Sequence, residues 1–417
     1  MTDLLIVGGG AAGLAAAVTA RALGDRVQVL ERMDRVGKKL LATGNGRCNL
    51  MNVGPLSYPG GETFARHVLT NVPPQAQKCF WRYLGLFLRE EEGGRVYPVT
   101  GQASTVLDVL RFHLEDAGRT GNAGGCISTG VHVRSIRPHQ GVWEATDGHT
   151  IWQGKRILIC GGGACQPKLG SDGSCVRMLE QMGYASSPLR PALTQLETQL
   201  DPIRGLEGIR VRAIVRAVHS GTVLHEERGE VLFTAYGLSG VCVMQLSRYV
   251  DRIDDAWLSL DLTASFGLDT ASLRYELSRR LQRVMETEAK VIPERFLSGL
   301  LVPRLAQAAF RLAWPGRRGI EYLSERDIDR LVWVMTDFRV PVLRLKGMDS
   351  AQITRGGIRT EAFSPDTMES VRDRGLYAAG EVLDVDGDCG GFNLMFAFAG
   401  GILAGKNGRK APWEDRS

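Results

Sequence analysis

The N-terminal part of the chain alternates between short apolar runs and a glycine-rich turn. Residues 3–7 form an apolar run that predicts a buried strand, and residues 14–23 are rich in alanine, which predicts a helix ending at Gly24. Residues 26–30 predict a second strand, which closes with Glu31. The pattern therefore predicts the order strand, turn, helix, strand and acidic residue.

Regular elements are also predicted in the stretch that follows. Residues 75–91 carry apolar positions at helical spacing, and another helix is expected to start at Ser104. Residues 127–136 and 141–153 alternate between apolar and polar positions, which is typical of a β-meander. The apolar run 156–160 predicts a buried strand that stops at a second glycine-rich turn.

The order of the predicted strands and helices changes between residues 190 and 345. Strand-like runs come first and helical runs follow, so we expect an inserted domain with β-strands before α-helices. The strand-like runs are 209–218, 222–225 and 230–234, and the helical runs are 271–289, 303–314 and 324–336. The predicted segments are 1–189, the insertion 190–345, and 346–417, which contains a strand-like run at 376–379 and a helix at 394–406.

Composition and charge narrow the possible functions. The chain has 417 residues, 44% hydrophobic and 23% charged, as is ordinary for a globular protein. Its net charge of +5 is spread along the chain without a basic stripe that includes aromatics, so nucleic acid is not an expected partner. We expect a cytoplasmic protein without membrane contact, because no apolar run is long enough to span a bilayer and no signal peptide is recognisable. The composition indicates no oligomeric state.

Cysteine and histidine spacing gives no metal site. The eight cysteines are scattered and none forms a CxxC pair, so we expect free thiols and no zinc. The seven histidines are dispersed, and the sequence offers no Ser-His-Asp arrangement.

The first turn, GGGAAG, matches the dinucleotide-binding pattern GxGxxG. Gly8 permits the tight turn, Gly10 lets backbone amides approach a pyrophosphate, and Gly13 allows the helix to pack closely on the strand. The helix N-terminus adds unpaired N–H donors and the positive end of its dipole. Glu31 lies at the distance at which an acid accepts hydrogen bonds from ribose hydroxyls, and it disfavours a 2′-phosphate. This pattern predicts FAD or NAD, and its position at the N-terminus favours FAD.

The segment GKKLLATGNGRCNLMN, residues 37–52, is expected to be a loop because it has no clear helical or strand period. Gly44 and Gly46 allow close approach of the backbone to a ligand. Thr43, Asn45 and Asn49 supply neutral hydrogen bonds, while Lys38 and Lys39 can meet phosphate charge. The loop favours FAD over NAD, because an NAD site would end with the acid.

Five stretches together resemble a known family. They are GGGAAGLAAA (8–17), GKKLLATGNGRCNLMN (37–52), GEVLFTAYGLSG (229–240), ITRGGI (353–358) and GLYAAGEVLDVDGDCGGFNLMFAFAGGILAG (375–405). On these motifs the chain resembles the BaiN/YhiN-type flavoproteins, the aminoacetone oxidase family of NAD(P)/FAD-dependent oxidoreductases. The resemblance implies an α/β fold: a two-dinucleotide-binding, Rossmann-like FAD domain built from both ends of the chain and interrupted by an inserted substrate or cap domain.

The resemblance also implies cofactor contacts along the chain. Residues 39–49 would lie along the flavin, Val133 would contact the adenine through its backbone, and Gly161 and Gly162 would end the returning strand. Gly380 and Glu381 would hold the ribityl chain, and residues 391–393 would face the isoalloxazine ring from a helix N-terminus. The predicted contacts with non-covalent FAD are Gly8, Gly10, Ala11, Ala12, Gly13, Glu31, Arg32, Lys38, Lys39, Thr43, Gly44, Gly46, Arg47, Cys48, Asn49, Val133, Gly161, Gly162, Gly380, Glu381, Gly390, Gly391, Phe392 and Asn393.

The implied chemistry is flavin oxidoreduction of a small organic molecule. The leading hypothesis is reduction of a conjugated C=C bond, an enone, with electrons from NAD(P)H passing through flavin N5. The alternatives are amine oxidation and a non-catalytic flavin redox sensor or RNA-linked flavoprotein.

Four side chains are catalytic candidates. Arg47 could bind a substrate carboxylate or a flavin oxygen, although a loop salt bridge is equally open. Cys48 could be a reactive thiol, but a small buried neighbour of the flavin is the simpler interpretation. Tyr236 could donate a proton from the inserted domain, and Cys389 could be redox-active.

Overall fold

The computed structural model describes residues 1–115, 126–287, 291–315 and 323–414. The chain forms two compact units. The first combines Met1–Pro191 with Ala351–Ser417, and the second is Ala192–Ser350.

The regular elements follow one another along the chain as helices and short strands. Up to residue 192 they are β1 (Thr2–Val7), α1 (Ala11–Ala22), β2 (Val27–Leu30), α2 (Lys38–Ala42), β3 (Met51–Asn52), α3 (Glu62–Asn71), α4 (Pro74–Tyr83), β4 (Leu88–Glu91), β5 (Arg95–Pro98), α5 (Ala103–Glu115), β6 (Ile127–Ser128), β7 (Ser135–His139), β8 (Val142–Thr146), β9 (Ile151–Ile159), α6 (Ser174–Gln181) and β10 (Ser186–Ala192). The second unit contains β11 (Leu196–Thr198), β12 (Arg210–His219), β13 (Thr222–Thr234), β14 (Gly237–Ser239), α7 (Val241–Leu246), β15 (Trp257–Asp261), α8 (Thr270–Thr287), α9 (Pro293–Phe296), α10 (Pro303–Ala313), α11 (Glu325–Thr336) and β16 (Phe338–Leu345). The chain then continues with β17 (Ile353–Ile358), β18 (Leu376–Ala378) and α12 (Phe392–Lys406).

The main sheet of the first unit has a parallel core with the strand order β6-β2-β1-β9, and β18 also pairs with β9. Leu5 of β1 lies between Gln28 of β2 and Ile157 of β9. Strands β7 and β8 extend the sheet in antiparallel order. Because parallel strands end at the same edge, the turns that follow β1, β2, β9 and β18 lie together. This arrangement confirms the predicted α/β, Rossmann-like fold class.

Helices α1 and α12 pack against each other at very short range. A Cβ added at Gly401 would lie 2.3 Å from the Ala12 carbonyl oxygen, and one at Gly405 would lie 2.6 Å from that of Ala16. Only glycine fits at such distances, so the small residues of both helices let their backbones approach. The contact joins the N-terminal and C-terminal parts of the first unit.

The second unit contains a closed six-stranded barrel with the order β11-β14-β13-β12-β15-β16. Along β12, Ala213, Val215 and Ala217 are buried at alternating positions, as a barrel interior requires. Helices α8, α9, α10 and α11 follow strands β11 to β15, as predicted, and β16 comes after them to close the barrel. Of the predicted helix 271–289, residues 288 and 289 lie outside the described residues.

Two local predictions are wrong. The helix predicted over 75–91 ends at Tyr83, because Gly85 adopts a φ of +84°, and residues 88–91 instead pair with β5. The loop predicted over 37–52 contains the short helix α2, in which Leu40 is buried. Its sequence KKLLA consists of good helix formers, and one buried leucine fixes it to the core.

The predicted β-meander is correct for β7, β8 and β9 but not for its first part, because Ile127–Ser128 pairs in parallel with β2. Among the described residues, no helix is both long and apolar enough to cross a membrane.

Candidate cofactor cleft

A cleft, which we call the main cleft, opens in the first unit at the carboxyl ends of its parallel strands. This is the edge at which ligands bind in open α/β sheets. The predicted site residues that line it are Gly8, Gly10, Ala11, Ala12, Glu31, Arg32, Lys38, Lys39, Thr43, Val133, Gly161, Gly162, Gly380, Glu381 and Asn393. Tertiary folding therefore brings together residues from the beginning, the middle and the end of the chain.

The glycine turn after β1 leaves room on the side of the cleft. A Cβ added at Gly13 would lie 2.0 Å from the Gly8 carbonyl oxygen, so Gly13 serves the packing of α1 on the turn. A Cβ added at Gly10 would meet no atom within 4 Å. In the described part of the chain no side chain caps α1, so its N-terminal amides face the cleft without a side-chain acceptor. The turn thus offers space and hydrogen-bond donors for an anionic group.

Glu31, at the end of β2, is fixed by two backbone amides. Its Oε2 accepts a hydrogen bond from Gly9 N at 2.7 Å, and its Oε1 accepts one from Met33 N at 2.8 Å. A carboxylate oxygen can accept more than one hydrogen bond. The carboxylate is therefore held in place and still able to accept ribose hydroxyl groups.

Two ion pairs tie cleft residues to different parts of the first unit. Lys39 Nζ lies 2.6 Å from Glu381 Oε2, and Glu381 Oε1 also accepts a hydrogen bond from Thr354 N at 2.7 Å. Arg32 pairs with Asp172. Burial alone would raise the pKa of Asp172, but hydrogen bonds from Ser174 and the Arg32 guanidinium lower that pKa to about 2.

The two other cations in the lining differ from each other. Lys38 is paired with Asp34, with Nζ and Oδ1 2.5 Å apart. Arg35 belongs to the cleft lining, and its guanidinium has no hydrogen bond or ion pair within the described residues. Arg35 is therefore available to an anionic ligand.

The second half of segment 37–52 turns away from the main cleft. Arg47 donates to Glu91 at 2.6 Å and lies 4.1 Å from the centre of the Tyr97 ring, so it makes the loop salt bridge that the sequence left open. Cys48 is fully buried, and burial raises the pKa of its thiol to about 12. A Cβ added at Gly44 would lie 3.3 Å from Asn49 N, and one at Gly46 would meet nothing within 4 Å.

Residues 390–393 are anchored to the end of this segment. Asn52 Nδ2 donates to the Gly390 carbonyl at 3.0 Å, and a Cβ added at Gly391 would lie 2.8 Å from Asn49 Oδ1. The Phe392 carbonyl accepts a hydrogen bond from Tyr58 at 2.7 Å. These contacts fix the start of α12 beside the cleft, and Asn393 belongs to the cleft lining.

The side-chain amide of Asn393 is committed to the preceding turn. It accepts a hydrogen bond from Gly387 N at 2.9 Å and donates one to Gly387 O at 2.8 Å. Asn393 therefore holds residues 387–393 in shape, and its amide is already paired on both sides.

The last two catalytic candidates lie in different units. Cys389 Sγ is 3.4 Å from Gln352 Oε1, and Gln352 lines the main cleft. Tyr236 belongs to the second unit, between β13 and β14, and Lys346 Nζ lies 3.9 Å from the centre of its ring. All eight cysteines lie in the described part of the chain, and none is in a disulfide.

Several lining residues were not predicted from the sequence. They are Arg35, His132, Leu169, Gly170, Ser171, Ser174, Gln352 and Leu394 among others. The run PKLGSDGS at 167–174 could have been recognised from the sequence as a loop near the ligand, because it is rich in small polar residues and follows a glycine turn. Gln352 and Leu394 carry no such signal, because only the folded chain places them at the cleft.

The residues present fit an adenine dinucleotide. The uncapped N-terminus of α1 and the open space at Gly10 suit a pyrophosphate. The fixed carboxylate of Glu31 suits a ribose. The lining continues to Gly380 and the start of α12.

Comparison with known proteins supports the same assignment. The profile of one family, described as the HI0933-like protein Rossmann domain, matches residues 2–407. A 3-dehydro-bile acid delta(4,6)-reductase of Clostridium scindens is 35% identical over 99% of this chain and 100% of its own length. A ribosomal RNA dihydrouridine synthase of Escherichia coli is 29% identical over 95% of both chains.

Two solved structures are more distantly similar. A 3-ketosteroid-delta4-(5alpha)-dehydrogenase from Rhodococcus jostii is 17% identical, with a TM-score of 0.45 and coverage of 97% of each chain. A flavocytochrome c3 fumarate reductase is 15% identical, with a TM-score of 0.46, and the match covers 97% of this chain and 78% of that one.

The profile match over nearly the whole chain and the identity to the Clostridium scindens reductase confirm the resemblance to the BaiN/YhiN-type flavoproteins. The chain belongs to the HI0933-like family and is an FAD-dependent oxidoreductase.

Proposed function

We propose that this protein reduces a C=C bond conjugated to a carbonyl group in a small organic molecule, with NAD(P)H as the electron donor. The observation that carries the proposal is the identity to the Clostridium scindens reductase over 99% of the chain. The name of that relative describes reduction of carbon–carbon double bonds in a 3-oxo compound.

The second relative supports the same bond change on a different molecule. Forming dihydrouridine reduces the C5=C6 bond of uracil, which is conjugated to the C4 carbonyl. The two relatives therefore differ in the size of their substrates but share the reduction of a double bond next to a carbonyl. The type of bond that is reduced is the part of the proposal that both relatives support.

The proposed cofactor site is the main cleft. The turn from Gly8 to Ala12 and the N-terminus of α1 would hold the pyrophosphate, and Glu31 would accept the ribose hydroxyls. Bound FAD supplies the hydride transfer that protein side chains cannot perform. The pair Lys39–Glu381 would fix the middle of the site, and the anchored start of α12 would present its amides to the far end.

The catalytic residues are proposed from the sequence. Tyr236 is the candidate proton donor, and Cys389, beside Gln352 at the cleft, is the candidate redox-active thiol. A Tyr236→Phe variant that slows substrate reduction and changes its pH profile would support the first role. Normal turnover by a Cys389→Ser variant would exclude a redox role for Cys389.

The test is an anaerobic experiment on the purified flavoprotein. The protein is reduced with NADH or NADPH and then mixed with a 4-ene-3-oxosteroid, with a saturated 3-oxosteroid as the control. We expect the enone, and not the saturated ketone, to restore the oxidised flavin spectrum faster than air does. Reduction of the resting protein by simple amines, with no response to enones, would instead identify an amine oxidase and contradict the proposal.

A second candidate is the reduction of uracil in ribosomal RNA, which is favoured by the similarity to the Escherichia coli synthase. It is tested in the same experiment with a ribosomal RNA fragment as the oxidant. Reoxidation by the RNA and not by the enone would select this candidate. Reoxidation by neither, despite reduction by NAD(P)H, would favour a non-catalytic redox sensor.

A further inference from the structure

Ser171 places a buried hydroxyl at the main cleft. The residue is only 1% exposed, and its Oγ has no hydrogen-bond partner within the part of the chain that the structure describes. Ser171 nevertheless belongs to the lining of the cleft. Buried hydroxyl groups in folded proteins are almost always paired, because an unpaired one loses its bonds to water. A hydroxyl of this kind at a cleft points to a ligand atom as its missing partner.

The surroundings of Ser171 indicate which ligand atoms these are. A Cβ added at Gly162 would lie 2.5 Å from Ser171 Oγ, so the hydroxyl lies over the turn that ends β9. A Cβ added at the neighbouring Gly170 would lie 3.9 Å from Glu31 Oε1 and 3.0 Å from Met33 Cγ. Ser171 is therefore in the same part of the cleft as Glu31, the proposed ribose acceptor.

Two contacts hold this segment against the end of β2. The Arg32 guanidinium pairs with Asp172 and also donates to the Pro167 carbonyl at 3.4 Å. Asp172 Oδ1 accepts a hydrogen bond from Ser174 N at 3.0 Å, which links the segment to the start of α6. Residues 167–172 are thus fixed at both ends, and Ser171 stands between the fixed points.

We propose that Ser171 binds the AMP half of FAD through its hydroxyl, and that the Arg32–Asp172 ion pair keeps it in position. The inference rests on the proposed placement of FAD in the main cleft. The ligand class is an adenosine phosphate, whose ribose hydroxyls and phosphate oxygens are all suitable partners for a serine hydroxyl. A flavin mononucleotide lacks this half and does not engage Ser171.

The test measures binding of FAD, ADP and FMN to the full-length apoprotein, by flavin fluorescence for FAD and FMN and by calorimetry for ADP. The Ser171→Ala variant is expected to raise the Kd of FAD and of ADP by about fivefold and to leave that of FMN unchanged. The matched control is Thr19→Val. Thr19 is also fully buried with an unpaired hydroxyl in the described part of the chain, but it lies inside α1 and does not line the cleft. Its removal should leave all three Kd values unchanged.

A folded Ser171→Ala variant that binds FAD and ADP as tightly as the wild type overturns the inference. So does an equal loss of FAD and FMN, because that result shows a general distortion of the cleft. If the alanine variant does not fold, Asp172→Asn provides the second measurement. It keeps an acceptor for Ser174 N but loses the ion pair that holds the segment, so we expect faster release of FAD at high salt, where the attraction of the freed Arg32 for the phosphates is screened. An unchanged release rate overturns the proposed role of the ion pair.

These outcomes are separate from those of the proposed function. A wild-type protein that binds FAD but does not reduce enones contradicts the proposed reaction and leaves the assignment of Ser171 intact. Normal enone reduction together with unchanged FAD binding by the Ser171 and Asp172 variants contradicts only the assignment.

Discussion

Lys39 Nζ lies 2.6 Å from Glu381 Oε2, although 342 residues separate them in the chain. The pair joins α2 to the segment between β18 and α12, and both side chains are mostly buried at the main cleft. Glu381 uses its other oxygen for Thr354 N at 2.7 Å, so it cannot turn away from the cleft without losing that bond. The lysine therefore compensates a carboxylate that would otherwise face an anionic cofactor.

Removing the two partners of this pair should have unequal effects. Lys39→Met leaves the Glu381 charge uncompensated near the phosphates, and we expect the Kd of FAD to rise about tenfold, equal to about 1.4 kcal/mol. Glu381→Gln leaves an unpaired cation that attracts the cofactor, so its effect should be smaller. Fluorescence titration of the apoprotein measures both. The control is Lys78→Met, which removes the ion pair to Glu90 between α4 and β4, away from the cleft. A larger loss in Glu381→Gln than in Lys39→Met would contradict this account.

Alanine substitutions at two glycines of the first turn should have different effects, one on the stability of the protein and the other on its affinity for FAD. Gly13→Ala puts a methyl group 2.0 Å from the Gly8 carbonyl oxygen, so we expect the free energy of unfolding to fall by about 1–3 kcal/mol. Gly10→Ala meets no protein atom within 4 Å and has an ordinary φ of −86°, so the apoprotein should keep its stability. The added methyl occupies the proposed pyrophosphate position, and the Kd of FAD should rise by about tenfold or more. Thermal unfolding of the apoprotein and FAD titration provide the two measurements. Unchanged FAD affinity in Gly10→Ala would place the pyrophosphate elsewhere.

Arg35 should contribute an electrostatic part of cofactor affinity. The residue belongs to the cleft lining, and its guanidinium has no hydrogen bond or ion pair within the described residues. We expect Arg35→Gln to raise the Kd of FAD by about threefold at low salt, because an exposed charge pair is worth less than about 1 kcal/mol. Salt should weaken the wild-type affinity more steeply than that of the variant. Arg82→Gln, in α4 outside the cleft lining, is the control and should change neither value. A salt dependence equal to that of the wild type would exclude the role.

Thiol reactivity should follow burial. Burial raises the pKa of the Cys48 thiol to about 12 and that of Cys175 to about 11. A raised pKa keeps the thiol protonated until the pH approaches that value, and the neutral thiol is a poor nucleophile. At about pH 8 in the native protein, iodoacetamide should therefore react with the half-buried cysteines and spare the buried ones. The half-buried cysteines are Cys79, Cys126 and Cys389, and the buried ones are Cys48, Cys160, Cys165, Cys175 and Cys242. Peptide mass spectrometry reads the sites, and denatured protein, in which all eight react, is the control. Rapid alkylation of native Cys48 would contradict this prediction and reopen its role as a reactive thiol.

Predictions from the sequence succeeded where a local pattern carries the structural information. The turn from Gly8 to Gly13 and the acid at Glu31 belong to one β-α-β unit, whose spacing is fixed by strand and helix geometry. The helix predicted over 75–91 failed because its apolar spacing continues past Gly85, where a positive φ ends the helix. The spacing of apolar residues shows which face of a helix would be buried, but it does not detect a single residue that ends the helix.

The sequence by itself determined the class of fold, the position of the first glycine turn, the acidic end of β2 and the flavoprotein family. The turn and the acid are encoded within about thirty residues, and the family is encoded by several short contiguous motifs, so each can be recognised without knowing how distant segments pack. Only the tertiary structure decided that Arg47 makes a salt bridge with Glu91, that Glu381 neutralises Lys39, and that Ser171 carries a buried hydroxyl to the cleft. Pairings between distant segments depend on how the strands order in the sheet and how the helices pack. That arrangement is a property of the whole folded chain, which no local pattern contains.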